Sequence, residues 1–319
     1  MLPSTAAASA VAVVPIEKGG SGRKFWRLTA GGESLILVRY GEDRPENAQY
    51  VAIARFLLGV GVRVPAIHFH DEVEGLILME DAGETDLWSY RDDLWRVRRA
   101  LYQRTLDEAL TLHTRAHLAG EVPELKMQPV FDAPLYCWEQ DYFIEHCLGR
   151  HFGLSAVQIA DACDRPRLQA IADELADLPR CLVHRDFQSQ NVIVRNGEVC
   201  LIDFQGLRPG IAHYDLASLL YDPYVTLTSA EREELLSHYI SGLRGPGQHE
   251  TADFRAVYQL CAMQRLMQAL GAYGKLGHGD GRTQFLGYIP TALRSLRKVV
   301  AGIDGLEKLS DLLRRLPPV

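Results

Sequence analysis

Three oxygen-bearing side chains lie at fixed spacing in the second half of the chain. Asp186 belongs to the segment HRDFQSQN, Asn191 follows five residues later, and Asp203 follows after twelve more in LIDFQG. The residues between Asn191 and Asp203 form two apolar runs separated by the pair Asn196–Gly197, which is typical of a β-hairpin turn. Because a hairpin returns to its starting point, we expect these side chains to meet at one mouth.

Two carboxylates and an amide that converge suit Mg²⁺, because this ion prefers oxygen ligands and is usually bound together with nucleotide phosphates. The pattern H-R-D-x-x-x-x-N followed by D-F is the kinase catalytic and metal-binding signature. It predicts that Asp186 accepts or orients the acceptor hydroxyl, and that Asn191 and Asp203 hold magnesium with ATP. The alternative is that isolated aspartates cap turns, but agreement at six positions favours phosphoryl transfer.

The composition excludes several other classes. The chain has 319 residues, 47% hydrophobic residues and a formal net charge of −7, so no global positive field attracts nucleic acid or anionic lipid. The six cysteines form no C-x-x-C pair, and no apolar run reaches the length of a membrane-spanning helix. We therefore expect a cytoplasmic protein without nucleic-acid or membrane partners, and the sequence indicates no obligate protein partner.

The elements that position these residues change in character along the chain. Short strand-like runs and a Gly31–Gly32 turn dominate residues 12–40, a helix is expected over Pro45–Leu58, and two further strands over 62–69 and 75–80. Helical periodicity follows, and strands reappear only at 192–194 and 199–202. The helical segments are 93–119, 138–149, 168–178, 231–243, 252–275 and 283–301. This pattern predicts an α+β chain in two lobes, with a nucleotide-binding lobe over 1–81 and a helical catalytic and acceptor-binding lobe over 82–319.

Motifs spread over nearly the whole chain carry a resemblance to a known family. VHRDFQSQNVIV and LIDFQG resemble the catalytic loop and metal-binding segment of the aminoglycoside/choline phosphotransferase branch of the protein-kinase-like superfamily. The segments GGSGRKFWRL, GLILMEDAG, WEQDYFIEHCLG and HYDLASLLYDPY are similar to bacterial anomeric kinases for N-acetylmuramate and N-acetylglucosamine. The resemblance implies a bilobal kinase-like fold, ATP and Mg²⁺ as cofactors, and phosphorylation of an amino sugar in cell-wall recycling.

Three segments are candidates for nucleotide binding. Between the first two strands lie Gly19, Gly20, Ser21 and Gly22, whose bare backbone amides can approach phosphates, although such a segment is equally a flexible hairpin turn. The connection LILMEDAG predicts adenine contacts from the backbone around Glu80 to Ala82, with Met79 behind the ring. Kinases place a phosphate-binding lysine on the third strand, and the matching position in LILVRY is expected to be Arg39.

The acceptor is expected to be a small molecule. Only twelve residues separate Asp203 from Asp215, and no A-P-E motif is present, so a docking segment for a peptide is missing from the sequence. Aromatic side chains beside carboxylates and amides suit a sugar, although some of them equally fit a helix core stripe. The acceptor-binding candidates are Glu139, Tyr142, Gln205, Asp222 and Tyr224. Two alternatives stay open: another hydroxylated metabolite or aminoglycoside as acceptor, and a catalytically silent nucleotide-binding protein.

Overall fold

The N-terminal part is built on one antiparallel sheet. The computed structural model describes residues 11–16, 23–41, 45–115, 125–243 and 252–317. Five strands form the sheet in the order β1-β2-β3-β5-β4. Their bounds are Ala12–Ile16 for β1, Lys24–Ala30 for β2, Glu33–Arg39 for β3, Ile67–Asp71 for β4 and Leu76–Glu80 for β5. Gly31 and Gly32 connect β2 to β3 at φ angles of 60° and 86°, a conformation that glycine adopts without steric cost.

One helix covers one face of this sheet. The helix α1 spans Pro45–Gly59, and Tyr50, Ile53 and Leu57 on it are buried. Side chains alternate between the two faces of a strand, so Ile36 and Val38 of β3 share the buried face, whereas the odd-numbered residues of β3 lie on the opposite face. We call the buried face, which also holds Ile77 and Met79 of β5, the inner face of the sheet.

The rest of the chain is mainly helical. The helix α8 packs against α3, α6 and α9 and forms the centre of this region. Beyond α1, the helices are α2 Trp95–Arg115, α3 Ala133–Phe143, α4 Ala156–Ala162, α5 Arg165–Ala176, α6 Ala212–Leu220, α7 Ser229–Leu243, α8 Ala252–His278, α9 Ile289–Val300 and α10 Glu307–Arg315. The helix α3 continues directly into a π-helical segment, Ile144–His151. Across the described ranges, no helix is both long and apolar enough to cross a bilayer.

Two short strand pairs position the catalytic segment. The strands β7 Val192–Arg195 and β8 Glu198–Leu201 form the hairpin that the sequence predicts. The prediction that strands reappear only there is wrong, because β6 Cys181–Val183 pairs with β9 Arg208–Gly210. Each of these strands has only three residues, which is too short to produce a periodic signal. The pairing matters for function because it fixes the start of the HRD segment beside the end of the loop that follows Asp203.

These elements confirm the α+β prediction: an antiparallel sheet with one main helix precedes a larger, mainly helical part. The division of the chain after residue 81 stays a prediction. The residues just after that position lie against the β7–β8 hairpin, since Val194 N donates to Thr85 O at 2.7 Å and Asp86 forms a bridge with Ile193.

Candidate active site

Asp215 anchors the HRD segment, residues 184–191, through hydrogen bonds to its backbone. The carboxylate of Asp215 accepts hydrogen bonds from the backbone N–H of His184 at 2.7 Å and of Arg185 at 2.8 Å. Arg185 adopts a left-handed φ of 73°, so the chain turns sharply just before Asp186. The carboxylate is fully buried, and its two bonds to consecutive amides fix the direction in which the loop leaves β6.

A second layer of contacts fixes Asp215 itself. His113 of α2 contacts Asp215 through Nε2 at 3.1 Å and Tyr239 of α7 through Nδ1 at 2.7 Å. His113 therefore makes side-chain contacts on both ring nitrogens within the core. From sequence, no role was assigned to Asp215, and its position twelve residues after Asp203 in HYDLASLL is the signal that could have marked it as a loop anchor.

Asp186 presents an ionised carboxylate in the loop. Its side chain is 31% exposed and contacts Arg185 Nη1 at 3.1 Å through Oδ2. Burial alone would raise the pKa of Asp186, but the positive charges of Arg185 and Arg265 outweigh it and lower the pKa from its ordinary value. A carboxylate that stays ionised near neutral pH can accept a hydrogen bond from an acceptor hydroxyl and align it.

The β7–β8 hairpin brings Asn191 and Asp203 to the same mouth. Asn191 Nδ2 donates to the backbone carbonyl of Asp186 at 2.8 Å, and Ile202 N donates to Asn191 O at 2.9 Å, next to Asp203 in the chain. Asp203 has a left-handed φ of 61° and a side chain that is 42% exposed. The structure thus brings the three residues of the motif together, as the sequence predicts.

The donor set at this mouth fits magnesium. The amide nitrogen of Asn191 is engaged with Asp186, which leaves the amide oxygen as the group that can bind a cation. The Asp203 carboxylate supplies a second hard oxygen ligand, and Mg²⁺ usually completes its shell with water and phosphate oxygens. A magnesium ion held by Asn191 and Asp203 would neutralise charge on the transferring phosphates.

The predicted nucleotide segments are placed differently from one another. Gly19, Gly20, Ser21 and Gly22 lie outside the described residues. Met79 lies on the inner face, and Tyr50 Oη donates to its sulfur at 3.5 Å. The Glu80 carboxylate pairs with Arg63, and the backbone N–H of Glu80 donates to the carbonyl of Ala66 at 2.8 Å. Ala82 is buried, at 9% exposure.

Two arginines, one on the five-stranded sheet and one on the β7–β8 hairpin, fix the segment between Glu80 and Ala82. Arg27 of β2 donates from Nε and Nη2 to the Asp81 carboxylate at 2.6 and 3.1 Å, and it also pairs with Glu84. Arg195 of β7 donates to the Asp81 carbonyl at 2.7 Å. Bidentate arginine contacts hold geometry well, so the connection after β5 has a defined path relative to both parts of the chain.

The prediction that Arg39 holds nucleotide phosphates is corrected by the strand register. Arg39 pairs with Lys24 at the end of β3, whereas the preceding residue, Val38, pairs with Phe25 and is buried on the inner face. Because side chains alternate, Arg39 points to the opposite face, where it is exposed. The inner-face position on β3 that corresponds to a kinase lysine therefore holds Val38.

Two acceptor predictions are corrected by burial. Glu139 is fully buried, at 0% exposure, and accepts a hydrogen bond from Tyr214 at 2.6 Å; burial raises its pKa to about 7. Asp222 accepts from the backbone N–H and hydroxyl of Ser189 at 2.8 and 2.5 Å, so it anchors the end of the HRD segment. Neither carboxylate is presented on an open surface where an acceptor would bind.

The other acceptor candidates separate into three places. Tyr142 packs against Trp138, His146 and Gly271, on the α3–α8 side. Gln205 donates to Asp203 at 2.6 Å and therefore lies at the mouth where Asn191 and Asp203 meet. Tyr224, two residues after Asp222, belongs to a group of aromatic rings that are mostly half-buried. This aromatic group consists of Tyr224, Tyr273, Phe285 and Tyr288.

Two arginines from distant segments contact residues close to Asp186, which the sequence did not indicate. Arg265 of α8 is 7% exposed and reaches Gln188 at 3.4 Å, two residues after Asp186. Arg208 donates to the carbonyl of Gly206 at 3.1 Å, and a Cβ on Gly206 would lie 3.7 Å from the Asp186 carboxylate. Burial and the charge of Arg185 lower the pKa of Arg208. Helix packing and loop closure bring these cations from distant sequence positions, so no local motif announces them.

A carboxylate loop beside a set of oxygen ligands that fits magnesium, together with an antiparallel sheet, is the arrangement of a kinase-like phosphotransferase. The structural neighbours agree in fold. A choline/ethanolamine kinase family protein from Mesorhizobium loti superimposes with a TM-score of 0.63 at 14% identity, covering 96% of this chain and 92% of the neighbour. An ADP-bound aminoglycoside phosphotransferase gives a TM-score of 0.56 at 13% identity, with 90% and 94% covered.

Sequence comparison supplies the family. Residues 12–254 match the phosphotransferase enzyme family, and the chain belongs to it. An N-acetylmuramate/N-acetylglucosamine kinase of Pseudomonas aeruginosa is 27% identical over 311 residues, which is 96% of this chain and 88% of the relative. The protein is thus a phosphotransferase of the small-molecule kinase type, which confirms the prediction from the HRD and IDF segments.

Proposed function

We propose that the protein transfers the γ-phosphoryl group of ATP to the anomeric hydroxyl of an N-acetylated amino sugar, N-acetylmuramate or N-acetylglucosamine, in cell-wall recycling. The relatives that align over most of the chain carry these substrates in their names. The ADP in a structural neighbour supports ATP as the phosphoryl donor, and the donor set of Asn191 and Asp203 supports Mg²⁺.

One observation of the site carries the choice of acceptor: the surroundings of Asp186 are positive. Arg185 donates to its carboxylate, Arg265 contacts Gln188 two residues later and Arg208 contacts Gly206, whereas the acidic candidates Glu139 and Asp222 are buried and hydrogen-bonded. A cationic aminoglycoside or choline would meet like charge here. N-acetylmuramate carries a carboxylate, which arginines bind well, and N-acetylglucosamine is neutral.

The aromatic group beyond Asp222 supports a sugar as acceptor. Tyr224 and Tyr288 meet edge to face, with ring centroids 4.5 Å apart, and both remain partly exposed. Flat aromatic surfaces pack against the apolar face of a pyranose ring, and their hydroxyls bond its oxygens. Arg265 and the aromatic group therefore offer complementary contacts to a charged, hydroxylated ring.

Asp186 acts mainly by alignment in this proposal. An anomeric hydroxyl is more acidic than an ordinary alcohol, so a carboxylate with a lowered pKa suffices to accept its hydrogen bond. Positioning supplies most of the catalysis in a loose phosphoryl-transfer reaction. Arg185, paired with the same carboxylate at 3.1 Å, holds the rotamer that faces the acceptor.

The nucleotide would lie between the inner face of the sheet and the metal-binding mouth. Met79 would support the adenine, the backbone from Glu80 to Ala82 would bond its edge, and the segment 19–22 would cover the phosphates. This division assigns residues 1–81 to nucleotide binding and 82–319 to catalysis and acceptor binding.

All six cysteines are free thiols, which supports a reducing cytoplasmic compartment, where ATP is also supplied.

A panel of acceptors tests the proposal. Incubation with ATP, Mg²⁺ and N-acetylmuramate or N-acetylglucosamine should release ADP and give a sugar 1-phosphate, identified by phosphorus NMR. Arg208→Gln should raise KM for N-acetylmuramate about tenfold and leave KM for N-acetylglucosamine unchanged, because only the former carries a carboxylate. Turnover of choline or an aminoglycoside, with none of either sugar, would replace the amino-sugar assignment.

A further inference from the structure

The inner face of the sheet lacks the usual cation of β3. In kinases a β3 lysine contacts the α- and β-phosphates and pairs with a glutamate of the following helix. Here Val38, 2% exposed, occupies the inner-face position, and Arg39 points away. Tyr50 of α1 packs on Phe204, the residue after Asp203, with ring centroids 4.7 Å apart. Some other group must therefore supply positive charge to the phosphates.

Arg23 reaches that place from a different strand. It precedes β2 by one residue and shares its strand phase with Phe25, whose partner Val38 is on the inner face. Arg23 Nη2 contacts Asp203 Oδ1 at 3.1 Å, and Nη1 donates to Gln205 Oε1 at 3.5 Å. The guanidinium is thus in direct contact with the metal-binding carboxylate.

Aromatic rings hold this guanidinium in position. Its carbon lies 5.5 Å from the centroid of Tyr50 and 5.7 Å from that of Phe25. The Arg23 side chain is only 7% exposed, whereas the Asp203 carboxylate that it contacts is 42% exposed. A desolvated cation between ring faces is strongly attracted to nearby negative charge and has little freedom to move.

We infer that Arg23 replaces the β3 lysine: it binds the phosphates of the magnesium nucleotide and holds Asp203 in the orientation that binds the metal. Arginine suits this double role because its planar fork contacts a carboxylate and a phosphate in fixed directions. Its place in the chain also fits, since it directly follows the glycine-rich segment 19–22. This inference rests on ATP as donor but not on the identity of the acceptor.

Calorimetric binding without any acceptor tests the inference. Arg23→Gln should weaken the affinity for Mg·ATP by roughly ten- to hundred-fold, the range expected for a lost charge-assisted contact, and leave the affinity for adenosine unchanged. Arg23→Lys should recover part of that loss. Arg39→Gln is the matched control, because it removes an arginine from the neighbouring strand on the opposite face, and its Mg·ATP affinity should equal that of the unaltered protein.

Three results would overturn the inference: Mg·ATP affinity preserved in Arg23→Gln, an equal loss in Arg39→Gln, or an equal loss for adenosine, which has no phosphates. If Arg23→Gln does not fold, Arg23→Lys provides the same comparison of the two ligands, with a smaller loss confined to Mg·ATP. Because no acceptor is present, a negative result for amino sugars in turnover assays would leave this measurement intact.

Discussion

The two sides of the proposed cleft follow the kinase pattern to different degrees. On the helical side, Asp186, Asn191 and Asp203 meet as the H-R-D-x-x-x-x-N and D-F motifs predict, and Asp215 anchors the loop through two backbone amides. On the sheet side, Val38 and Tyr50 occupy the inner positions, and Arg23 contacts Asp203. Only the helical side therefore resembles a protein kinase residue by residue.

The difference teaches which part of phosphoryl transfer constrains side-chain identity. The hydroxyl-aligning carboxylate and the metal ligands must occupy fixed positions around the reacting atoms, so their spacing is set by one loop and one hairpin. Phosphates present many equivalent oxygens to a surrounding shell of donors. A cation can reach them from β2 as well as from β3, provided that its strand phase directs it to the inner face.

Asp203 is the residue that both sides share, so its loss should have the largest effect. We expect Asp203→Ala to lower kcat/KM by on the order of 10³, because it removes the proposed metal ligand and the carboxylate partner of Arg23. The measurement is ADP release, with calorimetry of ATP in the presence and absence of Mg²⁺. An ATP affinity that still rises with Mg²⁺ as in the unaltered protein would separate Asp203 from the metal.

Asp215→Asn should damage the helical side alone. The carboxylate accepts from His184 N and Arg185 N and contacts His113, so the change should lower the free energy of unfolding by about 3 kcal/mol and reduce kcat. Urea denaturation and turnover measure the two effects, and Mg·ATP affinity should stay unchanged. Asp173→Asn, at an exposed aspartate of α5, is the control. Equal effects of the two substitutions would remove the anchoring role.

Glu139→Gln should alter the pH dependence of stability. Burial raises the pKa of Glu139 to about 7 from an ordinary 4.5, so its folded state favours the protonated form. The stability that this proton provides is present at low pH and is lost as the pH rises through about 7. Each pKa unit corresponds to about 1.4 kcal/mol, so the loss between pH 4.5 and pH 8 is roughly 3 kcal/mol.

Denaturation at several pH values compares this carboxyl with its uncharged isostere. In Glu139→Gln the free energy of unfolding should change less over the same range, because glutamine does not titrate. The amide retains an oxygen that can accept the hydrogen bond from Tyr214. An identical pH dependence in both proteins would show that Glu139 is ionised throughout and that Arg185 and Arg265 balance its charge.

Arg39→Ala should have the smallest effect. The side chain is exposed on the outer face of β3, and exposed substitutions usually change stability by less than about 0.5 kcal/mol. We expect kcat/KM and Mg·ATP affinity within about twofold of the unaltered protein. Loss of nucleotide affinity would return the phosphate contact to β3 and remove the contrast between the two sides of the cleft.

The sequence predicts those features that depend on local spacing. The Asn196–Gly197 turn fixes the β7–β8 hairpin, and that hairpin is enough to bring Asn191 and Asp203 together. The prediction for Arg39 was wrong because a shift of one residue along a strand moves every side chain to the other face of the sheet. The periodicity of LILVRY does not determine which of its residues face α1. The phase becomes visible only in the pairing of Val38 with Phe25 and Ile77.

Contacts between distant segments could not be predicted in the same way. The buried Glu139 accepts a hydrogen bond from Tyr214 of α6, and the Asp222 carboxylate accepts one from Ser189 of the HRD segment. The packing of α8 brings Arg265 to Gln188, two residues after Asp186, and no local pattern encodes this contact. The sequence positions of Glu139 and Asp222 therefore did not indicate the charge around a bound acceptor, because the hydrogen-bond partners of these carboxylates could not be identified from sequence.

The central claim is that Asp186 acts on the acceptor hydroxyl and is not itself needed for nucleotide binding. A single-turnover experiment with Asp186→Asn, saturated with Mg·ATP and N-acetylmuramate, tests it most directly, with nucleotide affinity measured on the same sample. The account predicts unchanged Mg·ATP affinity and a rate of phosphoryl transfer lower by at least about 10³. Transfer at the unaltered rate, or loss of nucleotide binding with the rate, would contradict it.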